Sequence, residues 1–284
     1  MPIGDGDGKF VQPTGKKLFI PMLYWMIQGF MLKKYSIPLI LLVWVMVLVA
    51  AGEGVAADRI FTPEPGERLV YRAKWFFLPA GEAVIEVLRD ASFNGQPAYH
   101  FVASTSTNSP IDFFYMIRER RDSFTDLQVT HSLQYRKTST GDYPRDLVVL
   151  FDWTHGTATY TNFGQPEKPV TIQPGTFDPL SLIFVIRMYR LIPGDVLEIP
   201  VTDGKRVINA KAIVASRETV TINHDVYDTL LVIPDLSRLE GVVSGRGEPS
   251  LKIWFTTDER HLPVKVQTRI AVGSFVFELV SATY

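Results

Sequence analysis

The sequence contains no cysteine. This absence excludes disulfide bonds, thiolate metal sites, a cysteine nucleophile and a lipidated cysteine. The chain also has no excess of one charge, because 29 lysine and arginine residues balance 30 aspartate and glutamate residues for a formal net charge of -1. Such a chain has no long-range field that would attract a phosphate backbone, so we predict that nucleic acid is not a partner.

Recognisable catalytic motifs are also missing. The string nearest to a serine nucleophile elbow, residues 241–245, has its serine in the wrong position, and the glycine at 204 lacks the spacing of a phosphate-binding loop. No histidine lies at metal-ligand spacing from another; the five are His100, His131, His155, His224 and His261. Two of them, His155 and His261, fall in predicted turns, where we expect them to be solvated. We therefore predict no catalytic residues, no metal, no cofactor and no enzymatic activity.

One long hydrophobic run is present, at residues 37–51. Lys33 and Lys34 precede it, and the small residues up to Ala57 follow it in the manner of a peptidase cleavage site. Residues 31–57 are therefore predicted to be a secretory signal peptide. The alternative is an uncleaved membrane anchor at 35–51, because roughly 17 residues is the short limit for a spanning helix.

Both alternatives predict export. A cleaved signal would leave the remainder in the periplasm, whereas an anchor would hold it at the inner membrane, outside the cytoplasm. In each case contact with the membrane would be made through this N-terminal segment. Residues 1–30 contain alternative initiators at Met22 and Met26, so we interpret them as an upstream extension from a misassigned start, with Met31 as the natural first residue.

From residue 58 onward, apolar residues recur with a period of two, which is typical of antiparallel strands with one buried face. Tyr71 and Trp75 share such a face with Leu69 and Ala73. Asn94-Gly95 predicts a type I′ hairpin turn, with a return strand at 98–107. Further strands are predicted at 83–87, 147–153, 157–163, 196–202, 206–216, 251–257, 262–272 and 275–284, with more between 220 and 233. A glycine-rich loop at 241–247 is predicted to be mobile.

One segment has a helical pattern instead. Asp178 is placed to cap a helix, Pro179 to occupy its first position, and Pro193-Gly194 to end it. A buried strand is the alternative, because β-branched residues are frequent there. The helix would be apolar nearly all round, so it should cover the sheet or plug its open end. We predict a mainly β fold in one domain, 58–284, forming a long curved antiparallel sheet or incomplete barrel with one short covering helix, after an N-terminal signal or transmembrane helix.

A charged segment supplies the candidate ligand-binding residues. If residues 118–122 form a strand, Arg118 and Arg120 share a face with Asp122. This polar ladder would either bind an anionic headgroup or form cross-strand ion pairs on an outer face. The candidate set completes this ladder with its near neighbours and one inward aromatic residue; it is Trp75, Asp112, Tyr115, Arg118, Arg120 and Asp122.

The order of several short motifs resembles a known family. These are Gly66-Glu67-x-Leu69-x-Tyr71-x3-Trp75, Asp112-x2-Tyr115, Arg121-Asp122-Ser123, Phe177-Asp178-Pro179-Leu180-Ser181 and the stretch from Trp254 to Pro263. Together they resemble a family of exported bacterial proteins classified as domain of unknown function 3108. The resemblance covers residues 61–284. It implies a β-rich envelope protein and supplies no established activity or catalytic residues.

Three functional hypotheses follow. The first is a non-enzymatic periplasmic protein that binds or carries an envelope component, such as a lipid or other amphipathic molecule, in the concavity of its sheet. The second is a structural or interaction module that docks an envelope protein partner. The third, a hydrolase, requires two carboxylates about 5 to 9 Å apart in a cleft.

Overall fold

A fifteen-stranded sheet makes up most of the fold in the computed structural model. The structure describes residues 59–284 apart from 114–115, 142–143, 237, 240–250 and 271–272. The predicted extension, the signal or anchor segment, Tyr115 and the glycine-rich loop at 241–247 lie outside the described residues. Within the described part of the chain, no helix is both long enough and apolar enough to cross a membrane.

Seventeen strands and two short helices account for the described chain. The strands are β1 Arg68–Trp75, β2 Leu78–Val87, β3 Ser92–Phe93, β4 Gln96–Pro97, β5 Tyr99–Thr107, β6 Ile117–Thr125, β7 Ser132–Gly141, β8 Arg145–Asp152, β9 Thr157–Asn162, β10 Gln165–Pro166, β11 Val170–Thr171, β12 Val196–Thr202, β13 Val207–Ile222, β14 Asp225–Pro234, β15 Leu251–Thr256, β16 Pro263–Ile270 and β17 Gly273–Thr283. The helices are α1 Ser109–Asp112 and α2 Ser181–Met188.

The sheet is an antiparallel meander with the order β10-β9-β8-β7-β6-β5-β2-β1-β17-β16-β15-β14-β13-β12. The predicted mainly β class and large antiparallel sheet are confirmed. The Asn94-Gly95 turn is also confirmed, since both residues have positive φ angles of 50° and 79°, as a type I′ turn requires. It joins the small ribbon of β3 and β4, while the predicted return strand is β5, which pairs with β2.

The two edges of the sheet curve toward each other without completing a barrel. A Cβ atom on Gly204, in the β12–β13 turn, would lie only 2.8 Å from Val149 of β8, so only glycine fits here. Next to it, the Lys205 ammonium lies 2.8 Å from Glu167 and 4.3 Å from the ring centre of Tyr160 in β9. The turn between β12 and β13 therefore packs directly on the opposite edge of the sheet.

The segment before α2 lies between β7 and the edge strand β12 and bonds to both. The amide of Ser132 in β7 donates to the carbonyl of Thr176, at 3.1 Å. Phe177 then exchanges backbone hydrogen bonds with β12, donating to Pro200 at 2.8 Å and accepting from Thr202 at 2.9 Å. One strip of backbone thereby connects β7 with β12, which lie far apart in the strand order, and this connection holds the curvature of the sheet.

Helix α2 plugs one end of the curved sheet. Its side chains are largely buried, and the Phe184 ring stacks on Phe101 of β5 with 3.9 Å between ring centres. The prediction of a helix here is confirmed and the alternative of a buried strand is wrong. The helix begins at Ser181, two residues after Pro179, and α1 is a second helix that the sequence analysis missed.

A buried carboxylate fixes the start of this plug. Asp178 has no exposed surface, and its Oδ1 accepts from the amides of Leu180 at 2.8 Å and Ser181 at 3.0 Å. Its Oδ2 accepts from three hydroxyls, those of Ser123 in β6, Ser132 in β7 and Ser181. The N-cap residue of α2 is Leu180, so the predicted N-cap position of Asp178 is wrong, but its carboxylate binds the two amides that lead into the helix and ties the helix to two strands.

Replacing Asp178 with asparagine is expected to lower the free energy of unfolding by about 2 kcal/mol. The amide keeps one acceptor for the backbone, but its NH₂ group replaces the oxygen to which three buried hydroxyls donate. Chemical denaturation monitored by tryptophan fluorescence measures this loss. Asp225→Asn, at an exposed position, is the control, and an equal stability for the two variants would contradict the role of Asp178.

A buried ion pair fixes the end of the plug. Arg187 of α2 and Glu67, next to β1, form two hydrogen bonds of 2.6 and 2.8 Å, and both side chains are about 1% exposed. Beside this pair, the His261 Nδ1 lies 3.1 Å from the carbonyl oxygen of Arg187. The prediction that His261 is solvated is wrong, because the end of α2 covers its turn and burial lowers its pKa.

Candidate functional site

A cavity of about 440 Å³ lies inside the curved sheet, between α2 and the opposite end. Leu182, Ile183 and Ile186 of the plug helix line it at the closed end. At the other end its lining includes Met116 and Thr140, which are exposed to solvent. The cavity is thus a cup, closed by α2 and open at the end that we call the rim.

Most of the cup wall is apolar. Small side chains from neighbouring strands, such as Ala83 of β2 and Ala103 of β5, leave the space empty that larger residues would fill. Larger apolar side chains complete the wall, and Ile253, Val266 and Phe275 of β15, β16 and β17 are among them. An apolar concavity of this volume lies within the range of small-molecule binding sites.

Besides Arg118 at the rim, three charged side chains interrupt the apolar wall. Glu119 and Arg121 lie on the inward face of β6, and Lys137 lies on the neighbouring strand β7. The Glu119 carboxylate is 2.5 Å from the Arg121 guanidinium and 2.8 Å from the Lys137 ammonium. We call these three residues the inner cluster. It contains two cations and one anion.

The surroundings of the inner cluster shift its titration. Burial raises the pKa of Glu119, but the charges of Arg121 and Lys137 outweigh burial and hold that pKa below its usual range. Burial and the neighbouring Arg121 charge lower the pKa of Lys137, and Glu119 offsets them only in part. Glu119 therefore stays ionised, while Lys137 is the member whose charged form is least well compensated.

The sequence-predicted ligand residues of β6 lie on its other face or at the rim. The Arg120 guanidinium donates to Asp122 at 2.7 Å, and the ring of His100 in β5 lies 2.8 Å from the same carboxylate. Arg118 donates to Asp112 at 2.5 Å across the rim. The structure thus brings these charges together as ion pairs within the protein, and the headgroup-binding role suggested for them stays a prediction.

The two remaining predicted residues, Trp75 and Tyr115, are aromatic. Trp75 stacks on Phe275, one of the residues that line the cup, with 6.3 Å between ring centres. The two residues are directly opposite in the register of β1 and β17, so Trp75 lies beside the cup lining on the same face of the sheet. Tyr115 lies outside the described residues. Within the described part of the chain, no group of three or more metal-ligating side chains could hold a metal ion.

Sequence reasoning missed the inner cluster for a definite reason. The charged run at residues 118–122 is visible in the sequence. Both faces of β6 carry charges, however, so the alternation of residues alone does not show which face is inward. The strand that carries Lys137 was not predicted at all. The shared spacing of Tyr135, Lys137 and Ser139 was the available signal, since alternate residues of a strand share one face.

Comparison with known proteins identifies the family. A family model described as Protein of unknown function (DUF3108) matches residues 70–280. The chain belongs to this family. No curated protein matches the DUF3108 chain.

A solved structure with a similar fold comes from Brucella abortus. It is described as a β-barrel-like protein of domain of unknown function DUF1849. The match has a TM-score of 0.50 and 11% sequence identity, and it covers 78% of the DUF3108 chain and 98% of the Brucella chain. At this identity the similarity concerns the fold alone, and it agrees with a sheet that curves into an incomplete barrel.

Proposed function

We propose that this DUF3108 protein is an exported, non-enzymatic binding protein that holds a lipid or another amphipathic molecule in its cup. The observation that carries this proposal is the largely apolar cavity of about 440 Å³, closed by α2 and open at the rim. Transfer of apolar surface from water into such a cavity contributes about 25 cal/mol per Å² to binding. An acyl chain has more apolar surface to transfer into the cavity than a polar metabolite does.

The rim supports the same function. Phe76 and Phe77, in the β1–β2 turn, are 63% and 84% exposed, and Phe113, at the end of α1, is 84% exposed. The two segments are joined where the Asn108 side chain donates to the carbonyl of Pro79 at 2.9 Å. Exposed apolar side chains around the entrance shorten the distance over which an apolar ligand must pass through water.

Export is proposed from the sequence. The basic residues, apolar run and small residues between 31 and 57 have the order of a secretory signal, and they would deliver the domain to the periplasm. If the segment is retained as an anchor at 35–51, the cup would instead work at the outer surface of the inner membrane. Either location places the cup beside lipids of the envelope.

Purification without detergent tests the proposal. Native mass spectrometry of protein isolated from a bacterial host is expected to show an added mass that organic extraction removes. Lipid analysis of the extract should then identify an amphipathic molecule. A protein that carries no added mass, and that also takes up no amphiphile when one is supplied, would contradict the proposed function.

The exposed rim aromatics also favour a second candidate, a module that docks a protein of the envelope. Crosslinking in cells separates the two, since one reproducible protein adduct supports docking and lipid adducts support carriage. The hydrolase hypothesis has less support. Among the described lining residues of the cup, Glu119 is the only carboxylate, and both of its oxygens are held in ion pairs.

A further inference from the structure

Two cations face each other inside the cup. Arg121 of β6 and Lys137 of β7 are directly opposite in the register of the two strands. Like charges in this position are destabilising, even on a solvated sheet face. Here both side chains point into a largely apolar cavity, where burial makes the repulsion stronger.

Glu119 compensates only one of the two charges. It lies opposite Ser139 in the same strand pair and reaches both cations, at 2.5 and 2.8 Å. The inner cluster keeps a net charge of one positive unit. The other charged residues of the cup lining offer no second anion, since Arg118 at the rim is a further cation and is itself paired with Asp112.

Arg121 has unused hydrogen-bonding capacity. Its Nε is one of two buried side-chain polar atoms without a hydrogen-bond partner in the described part of the chain. Its neighbour on the outer face, Arg120, uses Nε to donate to Asp122 at 2.9 Å. A buried N–H group that lacks an acceptor costs free energy, and native proteins retain few such groups.

The 39% of the Arg121 side chain that remains accessible lines the cup. An anion that entered the cavity would meet the guanidinium there, with the Lys137 ammonium beside it. Thr105 and Ser139 place hydroxyl groups on the same part of the wall. The combination of one guanidinium, one ammonium and hydroxyls is suited to a carboxylate.

We infer that the inner cluster is a headgroup site, at which Arg121 and Lys137 bind the carboxylate of a fatty-acid-like amphiphile. The inference rests on the proposed function and defines the ligand class. One carboxylate neutralises the single uncompensated charge and supplies acceptors to Arg121. The apolar wall formed by α2 and by strands β15 to β17 then surrounds the acyl chain.

Calorimetric titration with laurate and dodecanol tests this inference. The two probes share a twelve-carbon chain and differ in the headgroup, and acetate serves as a headgroup without a chain. The purified protein is first delipidated. Laurate is expected to bind about 10- to 100-fold more tightly than dodecanol, as hydrogen bonds to charged groups are the strong ones. Acetate should bind far more weakly than either probe.

Three variants locate the site. Arg121→Gln is expected to weaken laurate binding about 10- to 100-fold and to leave dodecanol binding within about twofold. Arg121→Lys should restore most of the laurate affinity, because it restores the charge. Arg120→Gln is the matched control, since it removes the neighbouring cation on the outer face and should change neither affinity.

The possible outcomes separate the two proposals. Equal affinities for laurate and dodecanol, or an Arg121→Gln variant that matches Arg120→Gln, would overturn the headgroup site and leave the binding function intact. Binding of neither probe to the wild-type protein would overturn both. Circular dichroism of each variant checks that the fold is retained, and Arg121→Lys provides a test if Arg121→Gln fails to fold.

Discussion

Glu67→Ala is expected to lower the free energy of unfolding by about 3–5 kcal/mol, because it leaves the buried Arg187 charge without a partner. Both side chains are almost fully inaccessible, and the pair is bidentate, at 2.6 and 2.8 Å. Arg187 retains only a 3.3 Å hydrogen bond to the carbonyl of Arg260 and contacts with the rings of Phe61 and Phe184. These do not replace a carboxylate.

Denaturation in guanidinium chloride measures this effect, and the melting temperature should fall by about 10 °C for a domain of this size. Glu64→Ala is the matched control, since Glu64 lies three residues away and is exposed. Replacing both Glu67 and Arg187 with methionine should recover much of the loss, because the cost arises from an unpaired charge and not from lost packing. A loss below about 1 kcal/mol for Glu67→Ala would show that the pair does not hold the plug.

Ala103→Trp is expected to weaken laurate binding about 50-fold. Ala103 lies on β5 opposite Arg121, and its methyl group lines the cup. An indole ring at this position would occupy space that the acyl chain needs. Exclusion of three methylene groups, at about 0.8 kcal/mol each, accounts for the loss. Because the ring enters an existing cavity, the overpacking penalty should stay small.

Ala215→Trp is the control for this variant, since Ala215 is an exposed residue of β13 that does not line the cup. Calorimetry with laurate and dodecanol should show the same loss of affinity for both probes with Ala103→Trp and no loss with Ala215→Trp. This pattern differs from that of Arg121→Gln, which should affect laurate alone. Undiminished affinity in Ala103→Trp would mean that the ligand binds elsewhere.

The sequence was most informative where apolar and polar residues alternate cleanly. Strands β8, β9 and β12 begin and end within two residues of their predicted bounds, since turn residues delimit each of them. Asp178 and Pro179 indicated the α2 plug, and the Asp178 carboxylate binds the amides just before the helix and at its start. In these elements the local chemistry and the tertiary structure favour the same conformation.

The inner cluster could not be found in this way. In β6 the inward residues Glu119 and Arg121 are as charged as the outward residues Arg120 and Asp122, so the pattern does not reveal the buried face. Lys137 lies in β7, whose composition is mostly polar and gave no strand prediction. His261 was missed for a different reason, because its burial depends on α2, more than 70 residues earlier in the sequence.

The central claim is that an acyl chain lies inside the cup, and nuclear Overhauser contacts between ¹³C-labelled laurate and protein methyl groups test it most directly. The methylene groups of laurate are expected to contact Ile186, Ile253 and Val266, which line the cavity. Ile213 and Val226, which are 43% and 69% exposed, serve as outward-facing references. Contacts restricted to these exposed methyl groups, with none to the three lining residues, would contradict the account.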